Sequence, residues 1–190
     1  MTTEKNIKLG KWTAIVSFVV ATVLMGLFYV TNSFTLAVFS YFFALGAGIL
    51  VNFFCLIALL IRAYQESSQR IKIVKTIGLM LCNIPVTILY IYFATVLFGT
   101  MRMTFINETG KPLTEVKIIG CEPKTIDKLD PYESKKIWVE ITGDCSMKIE
   151  YVIDGEKRSE IIYSYITNNG GQLATYRIGT DKQPIDETSF

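Results

Sequence analysis

The chain has 190 residues, 51% of them hydrophobic, with 19 Lys and Arg against 17 Asp and Glu for a formal charge of +2. Histidine is absent, which excludes Ser-His and Cys-His nucleophile pairs, His general bases and His-containing metal sites. The charge is unevenly spread: residues 1–101 hold seven basic and two acidic side chains, and residues 102–190 hold twelve and fifteen. A basic, apolar half therefore precedes an acidic, polar one, and nothing in that balance points to nucleic acid as a partner.

Residues 1–11 are polar, with Lys5, Lys8 and Lys11 against Glu4, and Trp12 opens an apolar run that reaches Val30. At the rise of an α-helix such a run spans roughly 28 Å, close to the thickness of bilayer hydrocarbon. It exceeds an ordinary signal-peptide core, and no clean small-x-small cleavage site follows it. Trp12 and Tyr29 bracket the run where amphipathic rings favour the membrane interfaces. Thr31, Asn32 and Ser33 leave room only for a tight helical hairpin, so the next helix is expected to run antiparallel to the first.

That second helix is predicted over residues 34–61, which contain no charged side chain, with Arg62 as its stop. Ser40, Ala44, Gly48 and Asn52 recur every fourth residue and form a stripe of small or polar groups on which another helix could pack closely. The connection at residues 62–75 carries Arg62, Arg70, Lys72 and Lys75 against Glu66. By the positive-inside rule it lies in the cytoplasm together with the N-terminus. A third helix at residues 76–98 contains Pro85, which predicts a kink at Cys82 to Pro85. Asn83 on this helix and Asn52 on the second stand at similar predicted depth. Both are expected between helices, where the two amides can bond one another.

From Arg102 the pattern becomes period-two alternation broken by turn residues, the mark of short antiparallel strands. Strands are predicted at residues 102–107, 113–119, 125–129, 135–141, 146–153, 156–165 and 172–178, with Asp154-Gly155 as a two-residue hairpin turn. The fold class that follows is an α+β membrane protein. A domain of residues 1–101 with transmembrane helices at about 12–30, 34–61 and 76–98 precedes a small antiparallel β-sandwich of immunoglobulin-like type at 102–179. Residues 180–190 form a flexible tail. Gly99, Thr100 and Met101 alone link the third helix to the first strand, so the β domain is expected to be membrane-proximal and extracytoplasmic.

Cys121 and Cys145 both fall in that outer domain and are expected to form a disulfide in an oxidising compartment. Cys55 and Cys82 read as small apolar packing residues. Trp138 alternates out of phase with Ile137 and Val139, so it shares an outer strand face with Lys136 and Glu140. These three are the candidate partner surface. Asn107-Glu108-Thr109 matches a glycosylation acceptor, a pattern frequent by chance. The carboxylates of the outer domain show no spacing that would gather them into an acid/base pair.

No catalytic, cofactor-binding or metal-binding residue is assigned, and no cofactor is expected. The functional expectation is a non-enzymatic integral membrane protein of the plasma or inner membrane. Its partners are the lipid bilayer and a neighbouring membrane or envelope protein bound by the β domain, in an accessory, protective or inhibitory role. One rival is a subunit of an oligomeric transport or channel assembly, a homo-oligomer joined through the small-residue stripe. The second rival is a membrane-surface enzyme using carboxylates.

Overall fold

A computed structural model describes residues 2–40, 48–180 and 185–186, with Phe34, Ile185 and Asp186 described by their backbone alone. The chain divides into two compact units, Met1–Phe93 and Ala94–Phe190. The boundary thus falls within the third predicted helix and not at residue 101, and the last turn of that helix belongs with the β unit.

The first helix, α1, covers Thr3–Thr31 and so begins well before Trp12. Its start is not marked by hydropathy because Lys, Glu and Leu form helix as readily as the apolar run does. It ends at Asn32, whose backbone takes the left-handed conformation (φ 50°) and whose N–H bonds the carbonyl of Phe28. Helix α2 covers Phe34–Ser40. Residues 41–47, and with them Ala44 of the predicted stripe, lie outside the described residues. Helix α3 covers Ile49–Gln65 and passes Arg62. Arg62 does not stop it but pairs with Glu66 one turn on, at 3.4 Å, as a cation near a helix C-terminus should. After a 3₁₀ turn at Ser67–Gln69, α4 covers Arg70–Leu81 and α5 covers Asn83–Phe98. The basic connection is therefore mostly helical. The helix is interrupted at Cys82, as Pro85 predicted, because the proline ring clashes with the carbonyl four residues earlier, that of Leu81.

Side-chain contacts set the directions of these helices. Thr13, Ser17 and Gly10 of α1 meet Cys55, Asn52 and Leu59 of α3, so the two run antiparallel. Ala14 meets Asn83 and Thr22 meets Tyr90, at sequence separations of 69 and 68, so α5 runs parallel to α1 in constant register. Ile7, Ala14, Leu59, Ile73 and Met80 form the small core between α1, α3 and α4. Gly10 lies at its centre: a Cβ there would stand 2.7 Å from Leu59 Cδ1 and 3.1 Å from Thr76 Cγ2.

Two helical stretches among the described residues are long and apolar enough to cross a bilayer, Thr3–Thr31 with mean hydropathy 2.2 and Ser67–Phe98 with 1.9. Helix α3 is a shorter apolar helix.

In the second unit the described residues form eight strands in two four-stranded sheets. The strands are β1 Thr100–Asn107, β2 Leu113–Ile119, β3 Lys124–Leu129, β4 Ser134–Glu140, β5 Cys145–Ile153, β6 Glu156–Ile166, β7 Leu173–Ile178 and β8 Ile185–Asp186. One sheet has the order β4-β1-β7-β8 and the other β3-β2-β5-β6. Phe105, Val116, Ile126, Val139, Ile149 and Ile162 belong to the hydrophobic core of this unit. Asp154 (φ 53°) and Gly155 (φ 80°) make the predicted hairpin turn, both left-handed as its mirror-image geometry requires.

Two expectations for this unit are corrected. An immunoglobulin sandwich places its first, second, fifth and fourth strands in one sheet and its third, sixth and seventh in the other, which is not the order found. Nor is the domain wholly antiparallel, because β1 pairs in parallel with β7. Parallel neighbours need a crossover, which the whole of β2 to β6 supplies, and local alternation carries no sign of so distant a pairing. The burial of β1 at nearly every position, from Thr100 to Asn107, fits a central strand. Of the predicted tail at 180–190, Ile185–Asp186 form β8 beside Thr175 and Ala174 of β7, and residues 181–184 and 187–190 lie outside the described residues.

Candidate functional site

The predicted partner surface lies on β4, an edge strand of its sheet. Val139 points into the core, so the alternation turns Lys136, Trp138 and Glu140 outward, and Trp138 is 43% exposed. The register sets Arg102 of β1 directly opposite Trp138. The Arg102 guanidinium carbon stands 5.9 Å from the indole centroid, within cation–π range, and Arg102 itself is only 5% exposed. The indole thus rests on a buried cation and offers its remaining surface to solvent. Lys136 pairs across the strands with Thr104, and Glu140 with Thr100.

The end of β4 is held by the segment that follows β2. Glu122 donates its N–H to the Glu140 carbonyl at 3.1 Å and accepts the Glu140 N–H on its carboxylate at 3.2 Å. Lys124 lies 2.6 Å from the same carboxylate. The hydrogen bond from Lys124, and after it that from the Glu140 amide, hold the Glu122 carboxyl below its ordinary range. This strap joins the two sheets next to Cys121, whose sulfur stands at disulfide distance, 1.95 Å, from that of Cys145. Gly120 permits the close approach: its φ of 127° is a glycine conformation, and a Cβ would fall 1.7 Å from the Ser146 carbonyl oxygen.

In the helical unit the structure separates the two asparagines from one another. Asn52 Nδ2 donates to Ser17 Oγ and to the Gly48 carbonyl, each at 2.8 Å. Asn83 Nδ2 donates to the Ala14 carbonyl at 2.9 Å. Each of the two amides thus finds a partner on α1, and Asn52 a second on its own helix. Of the predicted small-residue stripe, Asn52 meets α1 and Ala44 lies outside the described residues. Among the described residues a Cβ on Gly48 would meet nothing within 4 Å, and the Ser40 hydroxyl bonds back to the Leu36 carbonyl at 2.6 Å. A close approach is made by Gly10, which lies outside the stripe.

Three polar features lie outside the expected site residues. Glu160 on β6 accepts hydrogen bonds from Tyr151 of its own sheet and Tyr176 of the other. Burial, reinforced by Glu160, pushes the Tyr151 hydroxyl well above its ordinary pKa. Asn107, wholly buried, donates through Nδ2 to the carbonyls of Lys111, Leu129 and Asp130 and accepts from Thr109 on Oδ1. Its amide nitrogen is therefore engaged in the fold. Asp144 accepts from the Tyr165 hydroxyl at 2.7 Å and the Asn168 N–H at 2.8 Å, which hold its carboxyl below the ordinary range. Among the described residues no three of His, Cys, Asp and Glu stand together as a metal site.

No protein-family model matches the chain. No curated protein matches it either. Among solved structures it is similar to a protein from Eubacterium rectale, determined by NMR, at 16% identity and a TM-score of 0.34, over 46% of this chain and 88% of that one.

Proposed function

We propose that the chain is a non-enzymatic integral membrane protein that presents its β unit outside the cytoplasm to a neighbouring membrane or envelope protein. The observation that carries this reading is the exposed apolar surface of the helices. Trp12, Val30, Phe54, Ile88 and Tyr92 are 59%, 66%, 65%, 63% and 62% exposed, and only 11% and 6% of an apolar 18-residue window in each of the two long stretches is buried. Exposed apolar surface of this extent is what a lipid solvent accepts and water does not. Several polar groups of the same helices find donors and acceptors within the bundle: Thr13, Ser17 and Thr22 bond carbonyls one turn back, and the amide nitrogens of Asn52 and Asn83 bond α1.

The Thr3 hydroxyl donates to Glu66, which brings the lysine-rich start of α1 to the same end of the helical unit as the α3–α4 turn. This supports a cytoplasmic N-terminus and turn, with residues 102–190 on the other side. Trp138, resting on Arg102 and flanked by Lys136 and Glu140, is the surface proposed to meet the partner.

Thiol labelling of intact cells after mild reduction tests the topology. Cys121 and Cys145 should react without permeabilisation, and labelling that requires permeabilised membranes overturns it. Co-purification in mild detergent tests the partner: it should be lost with Trp138→Ala and kept with a substitution of exposed Lys157.

A further inference from the structure

Two basic groups stand at one height of the helical unit. Lys5, Lys8 and Lys11 recur at every third residue along the start of α1, Arg70, Lys72 and Lys75 lie in the first turns of α4, and all six are exposed. The height is set by packing: Gly10, between Lys8 and Lys11, lies against Thr76, the neighbour of Lys75, at 3.1 Å for a built Cβ. Two acids share this end, and one is occupied, since Glu66 accepts from Thr3 and pairs with Arg62.

Exposed apolar side chains lie among the cations, with Leu9 46%, Ile71 74% and Val74 54% exposed, and continue beyond them as a belt without charge, with Trp12 59%, Ile15 49%, Val16 49% and Leu79 41% exposed. We propose that this rim binds anionic phospholipid headgroups, an inference that rests on the membrane-spanning reading above. The apolar belt sets the depth. If it lies in hydrocarbon, the six cations stand at the headgroup level with the Trp12 indole at the interface, and their stems can extend along the belt. A polybasic rim at that level attracts anionic lipid over zwitterionic lipid, and the attraction weakens as salt screens it.

The test uses the purified full chain reconstituted into vesicles of phosphatidylcholine alone, or of phosphatidylcholine mixed with phosphatidylglycerol. Resistance to alkaline carbonate extraction reports insertion, and the ratio of the two lipids that co-purify with the protein in mild detergent at neutral pH reports headgroup selection. At low salt the wild type should enrich phosphatidylglycerol about tenfold over the bulk mixture. Replacing all six cations with Gln should bring the ratio near unity, and the milder pair Lys8→Gln and Lys75→Gln should lower it about threefold. A charge-matched control in the β unit, with the six exposed cations Lys117, Lys128, Lys135, Lys148, Lys157 and Arg158 each replaced by Gln, should keep the enrichment. A wild-type ratio near unity overturns the proposal, as does enrichment that survives in the rim variants. A carbonate-resistant chain with no headgroup preference overturns the rim alone, whereas a chain extracted from both vesicle types overturns the membrane-spanning reading and the rim with it.

Discussion

The side-chain amide of Asn83 donates to the backbone carbonyl of Ala14 at 2.9 Å, so a residue of α5 is fastened to the main chain of α1 and not to Asn52. Asn52 reaches α1 independently, through Ser17. Because the two amides share no partner, their contributions should add. Asn52→Ala and Asn83→Ala should each cost about 0.6 kcal/mol, the usual worth of such a bond in a helical bundle. The double variant should cost their sum to within about 0.5 kcal/mol. Unfolding in detergent measures all three, and a coupling well above that margin would mean that the amides do interact.

Gly10 and Gly48 should respond oppositely to a methyl group. At Gly10 the added carbon would lie 2.7 Å from Leu59 Cδ1, 3.1 Å from Thr76 Cγ2 and 3.3 Å from Met80 Sδ. Gly10→Val should destabilise the helical unit by about 1–3 kcal/mol through overpacking, with Gly10→Ala milder because Leu59 can turn its end away. At Gly48 a Cβ meets nothing within 4 Å among the described residues, so Gly48→Ala should be neutral or gain up to about 1 kcal/mol in helix propensity. Equal costs at the two glycines would rule out this packing.

What the sequence disclosed and what it hid divide along one physical line. Features decided by neighbours in the chain were legible: the Asp154-Gly155 turn, the helix break before Pro85, and strand limits that fall within two residues of those observed. Features decided by remote partners were not. The β1–β7 parallel pair is one, and the azimuth that turns Asn52 toward Ser17 is another. Helix ends were misplaced because hydropathy marks where a solvent changes, whereas Thr3–Lys11 and Arg62–Gln65 are helical in spite of their charge. For Glu160 a signal existed and was passed over: it shares the strand phase of Ile162, an inward position where a carboxylate requires partners.

The β unit should lose stability at both ends of the pH scale. Glu122 and Asp144 are held below their ordinary values in the folded state, so the unfolded chain binds protons first as the pH falls. Their contribution is complete above the ordinary carboxylate range and is lost as the pH drops below about 4 and through the folded values. Tyr151 is shifted upward, so its contribution is complete below its ordinary value and declines as the pH rises past about 10. Denaturant midpoints across pH should show both limbs. Glu122→Gln should flatten the acid limb and Tyr151→Phe the alkaline one, and an unchanged profile in either variant would remove that residue from the account.

The Asn107-Glu108-Thr109 pattern is explained by the turn it builds. Thr109 donates both its N–H, at 3.0 Å, and its hydroxyl, at 2.7 Å, to Asn107 Oδ1. Lys111 N–H donates back to the Thr109 hydroxyl at 3.3 Å. With Oδ1 so engaged, Nδ2 faces the three carbonyls of Lys111, Leu129 and Asp130. Expression through a secretory pathway should leave the mass of the chain unchanged at Asn107, which is wholly buried. Asn107→Ala should cost about 2–4 kcal/mol, because it strands buried carbonyl groups as well as removing bonds. Asn107→Asp should be worse still at neutral pH, where a carboxylate would face those carbonyl oxygens, and the gap should narrow in acid as the carboxyl regains a proton to donate. Thr109→Ala, which removes only the hydroxyl contacts of a partly exposed residue, should cost about 1 kcal/mol. A glycan at Asn107 in folded protein, or an Asn107→Asp variant as stable as wild type at neutral pH, would show that the amide is not held as described.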